Sequence, residues 1–160
     1  MLIEMFIKGL MIDPVSNMPI VILRDDGNQR TLPIWVGPVE ANAIALQIEI
    51  VTPARPMTHD LLTNVIGDMG GLLRRVVISD LRDGTFFAYL EIDRGGERML
   101  IDSRPSDALA LSLRFRAPVF VETAVLDQAR PVDVTSDEAD RERLQRWLES
   151  LDPDDLGYKM

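Results

Sequence analysis

The sequence predicts an α+β fold in which antiparallel strands form two meanders around three core helices. Two stretches of the chain each contain three strand-like runs separated by turn residues. Apolar residues at helical spacing follow each stretch, and a short β-branched run closes the domain. The predicted order is therefore β-β-β-α-α-β-β-β-α-β, followed by a C-terminal helix.

The first half begins with three strands. The predicted strands are 2–12, 18–24 and 30–36, with the turn residues Asp25, Asp26, Gly27 and Asn28 between the second and third. Pro38 favours a helix start, and Val39, Ala43, Leu46 and Ile50 recur at helical spacing, which predicts a helix over 39–50. A second helix is predicted over 58–69, with Gly70 and Gly71 ending it.

The second half repeats this pattern with shorter turns. Predicted strands over 72–81, 85–92 and 98–102 are separated by Arg82-Asp83-Gly84 and Arg94-Gly95-Gly96, both typical of hairpins. Pro105 opens a third helix over 105–116, and a short strand over 117–121 closes the domain.

The chain length of 160 residues fits one domain and a tail. We predict a domain over 1–126, a linker over 127–137 and an acidic helical tail over 138–160. Leu144, Trp147, Leu148 and Leu151 form one apolar stripe of the tail helix. This stripe either folds back on the domain or binds a neighbouring subunit or another protein partner.

Composition excludes several classes of function. The chain contains no cysteine, which excludes disulfides, zinc–thiolate sites and thiol nucleophiles. No apolar run reaches membrane-spanning length and no signal peptide is evident, so the expected location is the cytoplasm. The net charge of −9 argues against a broad nucleic-acid-binding surface, so that nucleic acid would need a local cluster of arginines.

Two segments of the chain resemble each other. Arg55-Pro56-Met57-Thr58-His59-Asp60 and Arg104-Pro105-Ser106-Asp107 each place arginine before proline, then a hydroxyl residue and an aspartate. Both are typical of helix starts, where Thr58 or Ser106 would cap free amides and an acid would favour the helix dipole. Capping does not require Arg55, Arg104 or His59, the only histidine in the chain.

A second interpretation is that the two helix starts form one phosphodiester-cleaving site. We assign catalytic roles to His59, Asp60, Asp102 and Asp107, and substrate binding to Arg55, Arg104, Thr58 and Ser106. Imidazole transfers protons near neutral pH, and arginine binds phosphate oxygens in a forked geometry. The carboxylates would orient His59 or hold Mg²⁺ or Mn²⁺. The same groups, with Glu40, also fit a salt-bridge network that only stabilises the helix starts.

Four motifs in order carry a resemblance to a known family, and they span roughly residues 2–126. They are Leu32-Pro33-Ile34-Trp35-Val36-Gly37 with Glu40-Ala41, then Arg55–Leu61, then Asp83-Gly84-Thr85-Phe86-Phe87-Ala88, then Ile101–Leu111. In these motifs the chain resembles the bifunctional nuclease family. The resemblance implies a compact α+β domain that cleaves both RNA and DNA, and it assigns no catalytic residues.

Three functional hypotheses follow. The first is a nuclease acting on RNA and DNA, as a homo-oligomer whose polar sites meet at a subunit boundary. The second is a non-catalytic module that recognises an anionic ligand or a protein partner through Arg55 and Arg104. The third is a structural oligomer in which the two related segments only cap helices.

Overall fold

The computed structural model describes residues 1–27, 29–129 and 138–150, apart from the side chains of residues 138–141. It confirms the α+β class, with a seven-stranded sheet and helices packed against it. The strands are β1 (Leu2–Ile12), β2 (Pro19–Arg24), β3 (Thr31–Trp35), β4 (Gly71–Arg82), β5 (Thr85–Arg94), β6 (Glu97–Ser103) and β7 (Val119–Glu122). The helices are α1 (Pro38–Ile48), α2 (Thr58–Asp68), α3 (Pro105–Phe115), α4 (Thr123–Gln128) and α5 (Glu138–Ser150).

The two predicted meanders are present and join into one sheet. The strand order is β3-β2-β1-β7-β4-β5-β6, so the last strand of the domain lies in the middle of the sheet. Strand β7 pairs antiparallel with β1 and parallel with β4. The sheet is therefore mixed, because β1 and β4 run in opposite directions and a strand between them must be parallel to one of the two.

Turn residues set the β4–β5 and β5–β6 hairpins as predicted. Arg82 pairs with Thr85, which leaves Asp83 and Gly84 as a two-residue loop with φ angles of 50° and 78°. Gly95 and Gly96 connect Arg94 to Glu97 in the same way, with φ angles of 56° and 83°. A two-residue loop with positive φ at both positions matches the right-handed twist of the two strands that it connects.

One helix was not predicted, and one ends earlier than expected. Helix α4 has six residues, too few for apolar periodicity to identify. Helix α1 ends at Ile48 and not at Ile50, because Ile50 takes a left-handed φ of 55°. Helix α5 spans most of the predicted tail helix, contacts β1 and packs Trp147 against the core. Residues 130–137, in the predicted linker, and Leu151 lie outside the described residues.

Helices α1 and α3 cover one face of the sheet and bury its core. Their small residues allow close packing, and Ala41, Ile44, Ala108 and Leu109 are fully buried. Strand residues such as Val76, Leu90 and Ile92 form the other side of this core. Helix α2 also lies against α3 and β4, but His59 is its one buried residue. No helix in the described part of the chain has the length and apolar character needed to span a membrane.

Candidate active site

The two related segments meet in the fold. Nε2 of His59, the second residue of α2, lies 2.9 Å from Oδ1 of Asp107, the third residue of α3. Helices α2 and α3 pack together and bring their N-terminal turns into contact. The convergence of the two helix starts, on which the prediction of a shared site depends, is therefore observed.

Arg104 extends this contact to a third helix. Its Nε donates to Oδ2 of Asp107 at 2.9 Å, and its Nη2 donates to Oε1 of Glu40 at 2.7 Å. Glu40 is the third residue of α1 and Arg104 is the N-cap of α3. His59, Asp107, Arg104 and Glu40 thus form a continuous four-residue network across the first turns of three helices.

Asp107 is the centre of the network and remains ionised. The hydrogen bond from His59 lowers the pKa of Asp107, and the bond from Arg104 adds to this effect, while burial opposes it. An ionised carboxylate accepts hydrogen bonds and cannot donate them. Nε2 of His59 must therefore carry a proton and donate the hydrogen bond to Asp107, and in the neutral ring Nδ1 then holds the lone pair.

The network lines an open cavity of about 690 Å³. Thr58 and Asp102 lie in the same lining, together with apolar side chains from the sheet and α2, namely Leu62, Ile66, Leu90, Ile92 and Ile101. The side chain of His59 is 9% exposed, whereas that of Arg104 is 64% exposed. Arg104 therefore reaches solvent at the cavity, while packing holds the imidazole in place.

The electrostatics of the network combine two carboxylates, one guanidinium and the helix ends. Hydrogen bonds from Arg104 to Asp107 and to Glu40 raise the pKa of the arginine, which stays charged. Three helix N-termini converge here, and each contributes partial positive charge within its first turn. An incoming phosphate would therefore compete with Glu40 and Asp107 for Arg104.

Asp60 is not part of the cavity lining, contrary to its predicted catalytic role alongside His59. Its carboxylate accepts from the amide of Met57 at 3.0 Å and from Nε of Arg114 at 2.7 Å. Burial would raise the pKa of Asp60, but these two bonds outweigh it and hold the pKa below its ordinary value. Asp60 therefore fixes the start of α2 against α3.

The remaining predicted residues occupy different positions. Arg55 is exposed before α2 and is not among the residues lining the cavity. Ser106 is buried in α3 and is likewise absent from the lining. Asp102 lines the cavity and pairs with Tyr89 of β5. Because successive residues of a strand point to opposite faces of the sheet, its side chain lies on the other face from those of Ile101 and Ser103.

The capping roles predicted for Thr58 and Ser106 are wrong. The N-caps are Met57 and Arg104, so both hydroxyl residues lie inside the helices. Pro105 is the first residue of α3, as predicted, whereas Pro56 precedes the N-cap of α2. Asp60, the third residue of α2, instead accepts a hydrogen bond from the amide of the N-cap residue Met57.

The residues of the network do not fit a metal site in this arrangement. Asp107 uses both oxygens for His59 and Arg104, and Glu40 is engaged by Arg104. Among the residues that the structure describes, no three His, Asp or Glu side chains are grouped to hold a metal ion.

Arg114 is a structurally important residue that was not among the site residues predicted from the sequence. Its side chain is 4% exposed and donates to Asp60, to the carbonyl of Ala43 at 3.2 Å and to that of Ala110 at 2.9 Å. It thereby connects α1, α2 and α3. A signal was available, because Arg114 lies seven residues after Asp107 and so shares its side of α3.

Comparison with known proteins identifies the same family that the four sequence motifs resemble. A sequence model of the bifunctional nuclease domain matches residues 21–133. An uncharacterised protein of Mycobacterium tuberculosis is 40% identical over 162 residues, covering 96% of this chain and 97% of its own length.

Plant relatives are more distant and longer. Bifunctional nuclease 2 of Oryza sativa subsp. japonica is 28% identical over 122 residues, covering 74% of this chain but 38% of its own length. Bifunctional nuclease 2 of Arabidopsis thaliana is 28% identical over 119 residues, covering 71% of this chain and 36% of its own length. This chain belongs to the bifunctional nuclease domain family.

Proposed function

We propose that this protein hydrolyses phosphodiester bonds of RNA and DNA in the cavity lined by His59, Asp107 and Arg104. The observation that carries the proposal is the hydrogen-bonded chain from His59 through Asp107 to Arg104, which lines an open cavity. Membership of the bifunctional nuclease domain family supports the substrate class, as does the similarity to the plant bifunctional nucleases.

His59 is the proton-transfer group of the proposed reaction. With Nε2 donating to Asp107, Nδ1 of the neutral ring accepts a proton from the attacking water. The water oxygen forms a bond to phosphorus and the ester P–O bond breaks. The leaving oxygen takes up a proton from solvent water, and His59 releases its proton to solvent. Proton transfer of this kind contributes about 10²–10⁴ in rate.

Arg104 is the phosphate-binding group. Because its side chain is largely exposed, it can exchange a carboxylate for a non-bridging phosphate oxygen without unfolding a helix. Asp107 orients His59 and stabilises the imidazolium that forms after proton transfer. Thr58, exposed in the first turn of α2 and lining the cavity, adds a hydroxyl at the same place.

The second candidate is a non-catalytic module that binds an anionic ligand through Arg104. The exposure of Arg104 favours it, because binding alone requires no proton transfer. The two candidates differ in the importance of His59. A nuclease loses activity without the imidazole, whereas a binding module keeps its affinity.

The test is a cleavage assay on end-labelled RNA, single-stranded DNA and double-stranded DNA, with Mg²⁺, Mn²⁺ or chelator. We expect cleavage by the unaltered protein and a loss of at least about 10²-fold in His59→Ala. The control is Asn64→Ala, an exposed position on the same helix, which should keep full activity. Equal cleavage by His59→Ala would reject the proposed site.

A further inference from the structure

A second cavity, of about 630 Å³, lies apart from the candidate active site. It is bordered by the turn between β1 and β2, by β3, by the hairpin between β4 and β5 and by the end of α4. None of the described residues that line it also lines the cavity of His59 and Arg104. Sites for small molecules have volumes of roughly 300–1,000 Å³, so the second cavity has room for an organic ligand.

Two sequence segments without a role in the proposed nuclease chemistry meet at the second cavity. Residues 32–37 and 83–88 belong to the motifs described above, but neither segment contributes to the first cavity. Trp35 from the one, and Asp83 and Phe86 from the other, line the second cavity. In the sheet, β2, β1, β7 and β4 separate the strands β3 and β5. The sheet must therefore curve to bring these two segments to the same cavity.

The wall of the second cavity exposes apolar side chains to solvent. Trp35 is 42% exposed and Met18 is 39% exposed, and the partly buried Leu81 and Phe86 also line the cavity. Tryptophan is usually well buried, because its large ring gains much free energy on leaving water. A ligand with an apolar body would cover these side chains and gain this free energy.

Trp35 is held in a fixed orientation at this wall. Its Nε1 donates to Oδ2 of Asp13 at 3.1 Å. Ser16 donates to the same oxygen at 2.8 Å, and the amide of Val15 donates to Oδ1 at 3.1 Å. These bonds, of which that from Val15 has the largest effect, lower the pKa of Asp13 and keep its carboxylate ionised at neutral pH. A side chain positioned in this way loses little conformational entropy when a ligand packs against it.

The charge of the second cavity determines the sign of the ligand. Asp13 and Asp83 supply carboxylates from two separate loops, and none of the described residues in the lining is basic. Asp83 is exposed at the tip of the β4–β5 hairpin, and it has no ion pair within the described part of the chain. These carboxylates repel a phosphate and attract a protonated amine. The face of a tryptophan ring, such as that of Trp35, also attracts cations.

We propose that the second cavity binds a small organic cation, in which a protonated amine is attached to a flat apolar body. The amine pairs with Asp83, and the apolar body packs against Trp35 and Met18. The inference is independent of the proposed nuclease chemistry, because the two cavities have no described lining residue in common.

The first test follows the tryptophan side chains of the full chain by nitrogen-15 NMR. The chain has two tryptophans, and Trp147, which is not in the lining, is the internal reference for Trp35. Trp35→Phe assigns the two indole signals. The probe is phenethylamine, and its control is 3-phenylpropionate, which has the same ring and a similar length but the opposite charge.

We expect millimolar phenethylamine to shift the indole signal of Trp35 saturably, while 3-phenylpropionate leaves it unchanged. The signal of Trp147 should not move with either compound. Equal responses of Trp35 to the two compounds, or no response to phenethylamine, would overturn the proposal.

Methylamine tests the contribution of the apolar body. It carries the same charge as phenethylamine but lacks the ring, so we expect it to bind at least about tenfold more weakly at Trp35. Similar dissociation constants for the two amines would show that charge alone is recognised, and would contradict the proposed class of ligand.

The second test separates local recognition from the general attraction of cations to an acidic protein. Asp83→Asn removes the carboxylate, and asparagine tolerates the φ of 50° at this position, so the hairpin is retained. The control is Asp26→Asn, which removes the same charge from an exposed loop outside the lining. We expect Asp83→Asn to raise the dissociation constant of phenethylamine by about threefold or more, and Asp26→Asn to leave it unchanged. Equal dissociation constants in the two variants would also overturn the proposal.

Discussion

The Nε2 atom of His59 lies 2.9 Å from Oδ1 of Asp107, although 48 residues separate them in the chain. This contact joins the first turns of α2 and α3 and fixes which ring nitrogen of His59 carries a proton. The proposed chemistry requires the neutral ring with its proton on Nε2, whereas a salt bridge to Asp107 requires the doubly protonated ring.

Asp107→Asn should impair turnover more than substrate binding. The amide can donate to His59 as well as accept from it, so the ring is no longer held with Nε2 protonated. We expect kcat to fall by on the order of 10²-fold or more, with KM changing much less. Steady-state kinetics on a labelled RNA measure the two constants. A rise in KM with unchanged kcat would show that Asp107 only assists binding.

Arg104→Ala should weaken nucleic-acid binding with little effect on folding. Its own side chain is largely exposed, so we expect the free energy of unfolding to fall by about 1 kcal/mol or less. Losing one phosphate contact should reduce the slope of log affinity against log salt concentration by about one. Fluorescence anisotropy with a labelled single strand measures this slope. An unchanged slope with a large loss of stability would make Arg104 a structural residue.

Arg114→Met should destabilise the fold strongly. It leaves the half-buried Asp60 without its partner and removes donors to two helix carbonyls. We expect a loss of on the order of 2–4 kcal/mol in urea unfolding. Asp60→Asn should recover part of this loss in the double variant, because the unpaired charge is removed. Strictly additive losses would contradict a direct interaction between the two side chains.

Stability should fall in acid because of Asp60 and Asp107. Both have folded-state pKa values below their ordinary value of 3.8, so the unfolded chain binds their protons more tightly. Their contribution is complete above that value and is lost as pH falls through the lower, folded pKa. Melting temperature followed from about pH 6 to pH 2 should drop less steeply in Asp60→Asn and in Asp107→Asn than in the unaltered protein. Parallel curves would contradict the lowered pKa values.

Much of the fold follows from local chemistry that the sequence displays. Asp83-Gly84 and Gly95-Gly96 predict their hairpins because positive φ angles are easy for these residues. Pro105 predicts the start of α3 because its ring suits the first helical position. The convergence of His59 with Arg104 was also predictable as a hypothesis, because both lie in segments with the same pattern.

Other features depend on tertiary packing that no local pattern encodes. The central position of β7 depends on pairing with β1 and β4, which are distant in the chain. Asp60 and Asp107 are each the third residue of their helix. Asp60 binds Arg114 outside the cavity lining, whereas Asp107 binds His59 and Arg104 in the lining. The pattern shared by the two segments, arginine and proline followed by a hydroxyl residue and an aspartate, could not predict that the two aspartates have different partners.

The central claim is that Asp107 holds His59 so that Nδ1 can accept a proton from the water that attacks the phosphodiester. Because the chain has one histidine, nitrogen-15 labelling of histidine gives the signals of a single imidazole. We expect the neutral ring to carry its proton on Nε2, and its Nδ1 resonance to shift when a phosphorothioate dinucleotide is added. A proton on Nδ1, or ring signals that do not change at saturating dinucleotide, would contradict the proposed active site.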